Sequence, residues 1–303
     1  MGVTLLFAHA CGFSKEMWEP VMRRLRESEV VQRVETEFVS FDFPYHGTRS
    51  DVELAETLKV DARNPKAPWV KGECDDCKSW YVMAMEKLGH VVRKKKPTDV
   101  LIGVGFSMGS GALWTVEIVN PGTFDALILI EPTLDTNSPM TEAVRSYLVA
   151  STLRRPSSWP SRAVAEEYFT THQAFAAWDD EALAAHLSGA LVEKADGSVS
   201  LACDPRLEAS MYSMEALDFS DMELQQPKCP IRFHWCSEST MCFEKMLKAV
   251  EAKCPHIYTV REGMKGLGHL VVMENPALTA ANIAAELEQL SPFASKIISK
   301  ANL

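Results

Sequence analysis

The feature that most constrains this chain is a set of short runs whose side chains are apolar without alternation. Val100 to Val104 and Ala126 to Ile130 carry no polar side chain at all, and Thr4 to His9 is apolar between its ends. A strand with one face in water alternates apolar and polar positions, so runs of this kind mark strands covered on both faces. Phe38 to Phe41 repeats the idea early in the chain, and Ile231 to Trp235 and Ile257 to Val260 resume it late. Helical periodicity fills the gaps. Trp18, Val21, Met22 and Leu25 share a face, Gly111 to Val119 is closed by Asn120-Pro121-Gly122, and Phe243 to Ala252 and Pro276 to Leu290 follow. Buried strands alternating with helices specify an α/β fold, with a mostly parallel sheet flanked by helices.

That pattern breaks once. From 134 to 228 the helical segments Glu142 to Thr152, Ser161 to Ala177 and Asp180 to Leu191 follow one another with no buried strand between them. A turn at Asp196-Gly197, between Leu191-Val192 and Val199-Leu201, fits either a hairpin or a simple loop. The expected organisation is therefore a core in two parts, 1–133 and 229–303, with a helical cap inserted over 134–228. Residues 51 to 79 are polar and interrupted by Pro65, Pro68 and Gly72, which predicts a long surface connection with at most a short helix.

Charge and cysteine content narrow the partners. The 303 residues carry a formal net charge of −10, which opposes both phosphate neutralisation and attraction to an anionic leaflet. Neither nucleic acid nor a membrane is expected as a partner. The one basic run, Arg93 to Lys96, follows the helical pattern Trp80, Met83, Met85, Leu88, Val91 and reads as a solvated helix end. No apolar stretch reaches the length of a membrane span, and the start Met1 to Phe7 lacks the charge and length of a signal peptide. Leu6 stands where myristoylation would need Ser or Thr. Eight cysteines without a secretory signal read as free thiols. Cys74-Asp75-Asp76-Cys77 has metal-ligand spacing but no second ligand pair, so neither metal nor cofactor is expected.

Chemistry concentrates at Gly105-Phe106-Ser107-Met108-Gly109, which matches G-x-S-x-G between a buried strand and a helix. In that context the serine sits on a strained turn that lifts its hydroxyl out of the sheet. A serine hydroxyl needs an imidazole to take its proton, and His269, after the last strand, occupies the place where this chain order puts the base. His9 and His46 also follow strands but precede the nucleophile, and they read as loop-stabilising residues. The imidazole in turn needs a carboxylate, for which Glu131 and Glu238 are the candidates, each just beyond a strand. Two backbone N–H groups, of Cys11 after the first strand and Met108 after the nucleophile, are positioned for an oxyanion hole. Cys11 itself lacks an elbow and an adjacent base, which argues against a thiol nucleophile.

Together these residues resemble the α/β-hydrolase superfamily over nearly the whole chain. Phe7 to Phe13 with Trp18-Glu19-Pro20, Leu129-Ile130-Glu131-Pro132 and Trp159-Pro160-Ser161-Arg162 resemble in particular the fungal peroxisomal lipase-like hydrolases and their toxin-biosynthesis relatives. The resemblance implies an acid some two dozen residues beyond the nucleophile, and Glu131 lies 24 beyond Ser107. The other usual place for the acid is an aspartate about four residues past the late strand's tryptophan, where this chain has Ser239. Both observations favour Glu131, with Glu238 as the alternative. Relatives usually carry two antiparallel strands before the first strand seen here, so about six strands are expected.

The expected reaction is acyl transfer to water on an apolar small-molecule ester or thioester. Carbon–carbon cleavage or lyase chemistry on the same three residues is the alternative, and a non-catalytic binding protein that kept the fold is another. The final Ala301-Asn302-Leu303 resembles degenerate forms of the peroxisomal address read by an import receptor, which leaves peroxisome and cytosol as the expected locations.

Overall fold

In a computed structural model of the chain, the structure describes residues 2–49, 58–61, 63–64, 68–71, 99–134, 138–213 and 217–294. The cysteine pair Cys74 and Cys77, the helix expected before Arg93, the basic run itself and the C-terminal tripeptide lie outside them.

The first half runs β1 (Val3–Ala8), α1 (Glu19–Glu27), β2 (Thr36–Phe41), β3 (Lys59–Asp61), β4 (Trp69–Lys71), β5 (Val100–Phe106), α2 (Met108–Val119) and β6 (Ala126–Ile130). There follow α3 (Pro139–Arg154), β7 (Ser158–Trp159), α4 (Arg162–Thr171), α5 (Asp180–Ala190), β8 (Leu191–Glu193), β9 (Val199–Leu201) and α6 (Pro205–Tyr212). The last part contains β10 (Ile231–His234), α7 (Glu244–Lys253), β11 (Tyr258–Val260) and α8 (Pro276–Leu287).

Six strands form one sheet in the order β2-β1-β5-β6-β10-β11, and every neighbouring pair is parallel. Burial on both faces explains the unbroken apolar runs. Leu5, Phe7, Ile102, Val104, Ile128 and Ile130 share a core with Val21 and Leu25 of α1 and Ile283 and Leu287 of α8. Leu6, Ala8, Leu101, Leu127 and Leu129 face the other way, onto Leu113 and Trp114 of α2 and Leu247 and Val250 of α7. β10 alternates, because Arg232 and His234 face a buried carboxylate on α8: His234 Nε2 stands 3.1 Å from Glu286 Oε1. Burial alone would raise that carboxyl, but His234 and Arg261 beside it pull it down to about 2.

Three helices begin with a capping side chain followed by proline, at Ser138-Pro139, Asp204-Pro205 and Asn275-Pro276. The cap oxygen accepts an otherwise orphaned N–H, and proline takes a position whose N–H has no helical partner.

Two expectations need correction. The stretch expected to be a strandless surface connection contains the antiparallel pair β3–β4, with Val60 opposite Val70. At Asp196-Gly197 the structure resolves the two readings left open in favour of the hairpin, β8 paired with β9 and Gly197 at φ +84°; the correction to a wholly helical insertion is β7, which joins β9 to make a small antiparallel sheet. Strands of two or three residues are too short for an alternation to register in sequence.

β1 connects outward to β2, whereas β5 lies on the other side of β1 and the chain proceeds from it towards β11. The strand order therefore reverses between β1 and β5. In open α/β sheets the crevice beyond the carboxyl ends of such strands holds ligands.

Candidate active site

Ser107 is the residue between β5 and α2, at φ +51° and ψ −116°, a conformation that L residues rarely adopt. The turn is held from three sides. Ser107 N–H donates to Ile130 O at 3.0 Å, Gly111 N–H donates to Ser107 O at 3.1 Å, and the Ser110 hydroxyl donates to Ile130 O at 3.0 Å. The two glycines of the motif are steric requirements. A Cβ on Gly105 would come within 2.6 Å of the Ser110 backbone, and one on Gly109 within 2.7 Å of His9 O and onto the Ala8 carbonyl. This close approach seats the start of α2 against the end of β1.

Glu131 follows β6 directly and also has a left-handed backbone, φ +47°. Its side chain is fully buried. Oε1 accepts from Cys236 N–H at 2.6 Å; Oε2 accepts from the Ser239 hydroxyl at 2.5 Å and from His269 Nδ1 at 2.8 Å. Because a carboxylate only accepts, the His269 proton sits on Nδ1 and the Nε2 lone pair faces Ser107 Oγ, 3.0 Å away. The sequence-derived Ser107, His269 and Glu131 thus form one hydrogen-bonded chain.

Glu238 is not part of it. Its carboxylate is exposed and accepts from Ser237 Oγ at 3.2 Å, while its backbone N–H donates to Leu267 O at 3.1 Å and tethers the loop that carries His269. Ser239 marks in the sequence only the place of a missing aspartate. In the structure its hydroxyl is a hub that donates to Glu131 and accepts from Met241 N–H at 3.3 Å and Cys242 N–H at 3.1 Å. A lone serine in a loop gives no signal of that role.

The two early histidines are posts for the loop after β1. Phe43 N–H donates to His9 Nε2 at 3.0 Å, so His9 carries its proton on Nδ1 and gives it to Ala10 O at 2.7 Å. Gly12 N–H donates to His46 Nε2 at 3.0 Å, and His46 Nδ1 donates to Pro44 O at 2.9 Å. Burial pushes His9 down to about 3, with His46 adding to the shift, and burial lowers His46 as well. Both stay neutral, as their accepting roles require. Cys11 lies between these posts, its thiol 3.6 Å from Met211 Sδ and pushed well up by burial and by Glu208. A thiol so placed is a poor nucleophile.

Ser107, His269, Cys11 and Met108 line a cavity of about 470 Å³ roofed by the inserted segment. Leu148, Phe175, Trp178, Met211, Met241 and Phe243 make much of its wall apolar, and Arg155, His186, Glu208 and Tyr212 form a polar region. Among the described residues no cluster of three or more His, Cys, Asp or Glu is placed to hold a metal ion, and no helix is long and apolar enough to cross a membrane. The six described cysteines are buried free thiols.

Comparison with known proteins agrees with the fold. The model of the alpha/beta hydrolase family matches residues 5–282. Among curated proteins, the chain is 33% identical over 107 residues to the abhydrolase domain-containing protein AKT2 of Alternaria alternata, a match spanning 33% of this chain and 39% of that protein's length. Among solved structures it is similar to the peroxisomal alpha-beta-hydrolase Lpx1 of Saccharomyces cerevisiae, with a TM-score of 0.71 at 18% identity over 95% of this chain and 77% of that one. It is also similar in fold to a thioesterase domain from the curacin biosynthetic pathway, with a TM-score of 0.62 at 17% identity over 93% and 90% of the two chains.

Proposed function

The chain belongs to the alpha/beta hydrolase family, and from that premise we propose that it is a serine hydrolase cleaving a carboxylic ester or thioester of an apolar small molecule. The observation that carries the proposal is the continuous relay from Glu131 through His269 to Ser107, at 2.8 and 3.0 Å.

In the proposed reaction His269 Nε2 takes the Ser107 proton as Oγ attacks the acyl carbon. Negative charge gathers on the carbonyl oxygen, where the Cys11 and Met108 N–H groups receive it. Collapse of that intermediate breaks the bond to the alcohol or thiol, which leaves with the proton from His269. Water, deprotonated by the same imidazole, then attacks the acyl-enzyme and releases the acid and Ser107. Glu131 holds the productive tautomer throughout and stabilises the imidazolium. The largely apolar cavity supports an acyl or alkyl group as the part bound.

Labelling by a fluorophosphonate, lost in Ser107→Ala, tests the nucleophile. A panel of esters and acyl-CoA thioesters of graded chain length tests the substrate class. Absence of labelling in a folded wild type would leave a binding protein on the same fold, and labelling without hydrolysis of any ester or thioester would turn attention to carbon–carbon cleavage. The likeness to a peroxisomal hydrolase supports import through Ala301-Asn302-Leu303 as part of the proposal. A fluorescent fusion at the N-terminus, with and without that tripeptide, distinguishes peroxisome from cytosol.

A further inference from the structure

The polar region of the cavity has hydrogen-bonding capacity that none of the described residues uses. Glu208, on α6, is 3% exposed. Its carboxylate accepts from both Nη atoms of Arg155, from Tyr212 Oη at 3.2 Å and from Thr152 Oγ1 at 3.4 Å. The pair is neutral as a whole. Arg155 Nε, however, is buried with no hydrogen-bond partner among the described residues.

His186, on α5, is the second unmet group. It is 5% exposed, it lines the cavity, and its Nδ1 is buried without a partner among the described residues. Its ring lies 5.0 Å from Phe13 and 5.3 Å from Trp178, nearly perpendicular to the indole. An indole face can serve at most one imidazole N–H, and only weakly. Burial, reinforced by the nearby Arg155, pushes His186 down to about 3, so the ring is neutral with one N–H and one lone pair. A buried polar group left unpaired costs stability, which marks a site where a ligand can complete the bonding.

We propose that His186, backed by the Arg155–Glu208 pair, is a specificity-determining residue that receives a neutral oxygen, a ketone or hydroxyl, carried on the substrate's apolar chain away from the scissile carbonyl. The charge state selects against an anion. A carboxylate would enter a low-dielectric pocket whose guanidinium is already neutralised by Glu208, and its desolvation would go uncompensated. A plain alkyl chain would leave His186 Nδ1 and Arg155 Nε unpaired. The proposal rests on the hydrolase reading for the word substrate, but not for the binding itself.

The test is therefore made on binding, in the Ser107→Ala protein, by titration calorimetry with the positional isomers of decanone and decanol. One isomer should bind at least about tenfold more tightly than those with oxygen at the other positions, the effect of one buried hydrogen bond. The preference should vanish in His186→Phe, and in His186→Leu should the larger ring overpack, with melting curves confirming folding. A preferred ketone assigns the imidazole as donor, and a preference confined to the alcohol assigns it as acceptor. Equal binding of all isomers, or a positional preference that survives loss of the imidazole, overturns the proposal. So does decanedioate binding more tightly than decanoate, since that would mean a second charge is welcome. Failure of fluorophosphonate labelling in the wild type sinks the hydrolase reading and leaves these titrations intact.

Discussion

Glu131→Gln is the substitution that most directly tests the relay. It preserves shape and replaces one carboxylate oxygen by an NH2 group. Both oxygens are already committed to donors: Cys236 N–H on one, the Ser239 hydroxyl and His269 Nδ1–H on the other. No orientation of the amide satisfies all three. With its oxygen towards His269, the NH2 opposes the buried Cys236 N–H, an unpaired donor worth about 1–3 kcal/mol of stability. With its NH2 towards His269, Nδ1 must accept, the proton moves to Nε2, and the imidazole presents a donor to Ser107 where a base is needed. The charge that stabilises the imidazolium is lost either way, and turnover should fall between about a thousandfold and ten-thousandfold. Steady-state hydrolysis of a chromogenic ester, with the melting temperature measured alongside, reads both effects. Glu238→Gln is the matched control and should stay within about threefold of wild type, since its exposed carboxylate touches neither His269 nor Ser107. A large loss in Glu238→Gln with near-normal turnover in Glu131→Gln would refute the assignment.

Moving the acid gives a second test: Glu131→Gln combined with Ser239→Asp should recover part of the lost turnover, because position 239 already reaches the same oxygen that meets His269; no recovery in a folded double variant counts against that geometry. Ser107→Gly should be more stable than Ser107→Ala by about 1 kcal/mol in denaturant titration, since glycine relieves the left-handed φ and alanine does not. Gly109→Ala should give little folded protein, because the added methyl meets the Ala8 and His9 carbonyls, as the yield of unaggregated protein on gel filtration would reveal. The Glu286 carboxyl, held at about 2 in the fold, lies below its usual value, so it contributes stability that is complete above pH ~4.5 and is lost as pH falls towards 2. Glu286→Gln should therefore flatten the acid limb of the stability curve, removing on the order of 3 kcal/mol at neutral pH, and equal urea midpoints for the two proteins at pH 7 would exclude it.

Much of this site is legible in sequence because its constraints are local. Val100 to Val104 has to be a buried strand, the small residues after Ser107 have to open a tight turn into a helix, and Glu131 is reached by its place at the end of the next strand. Glu131 and Glu238 cannot be separated that way alone, because each lies within a few residues of a strand end beside the crevice, and only the structure shows Glu131 buried at the strand end and Glu238 exposed in the following loop. The roles of Ser239, Cys236 N–H and the Arg155–Glu208 pair are set by contacts between residues 53 to 108 positions apart, and nothing in their immediate neighbours announces them. The β3–β4 pair and the two-residue β7 escape for the opposite reason, being too short to carry a period, whereas the hairpin at Asp196-Gly197 is signalled by its turn residues. His9 and His46 are recognisable in sequence as loop supports, although which backbone groups they hold depends on a fold in which β2 returns beside β1.

The Glu208 carboxylate rests against Gly12, where an added methyl would come within 2.7 Å of it. Gly12 is next to Cys11, in the loop whose amide is proposed to meet the developing oxyanion, whereas Glu208 belongs to the inserted segment. The inserted segment is thus keyed into the loop that carries the proposed oxyanion amide. A chimaera that exchanges residues 138–213 for those of another hydrolase inherits a fitted joint: without a side chain of the same reach at position 208, the glycine loop loses its backing. Substitution is restricted at this joint by that contact, so libraries built to change selectivity should leave Gly12, Arg155 and Glu208 as one unit.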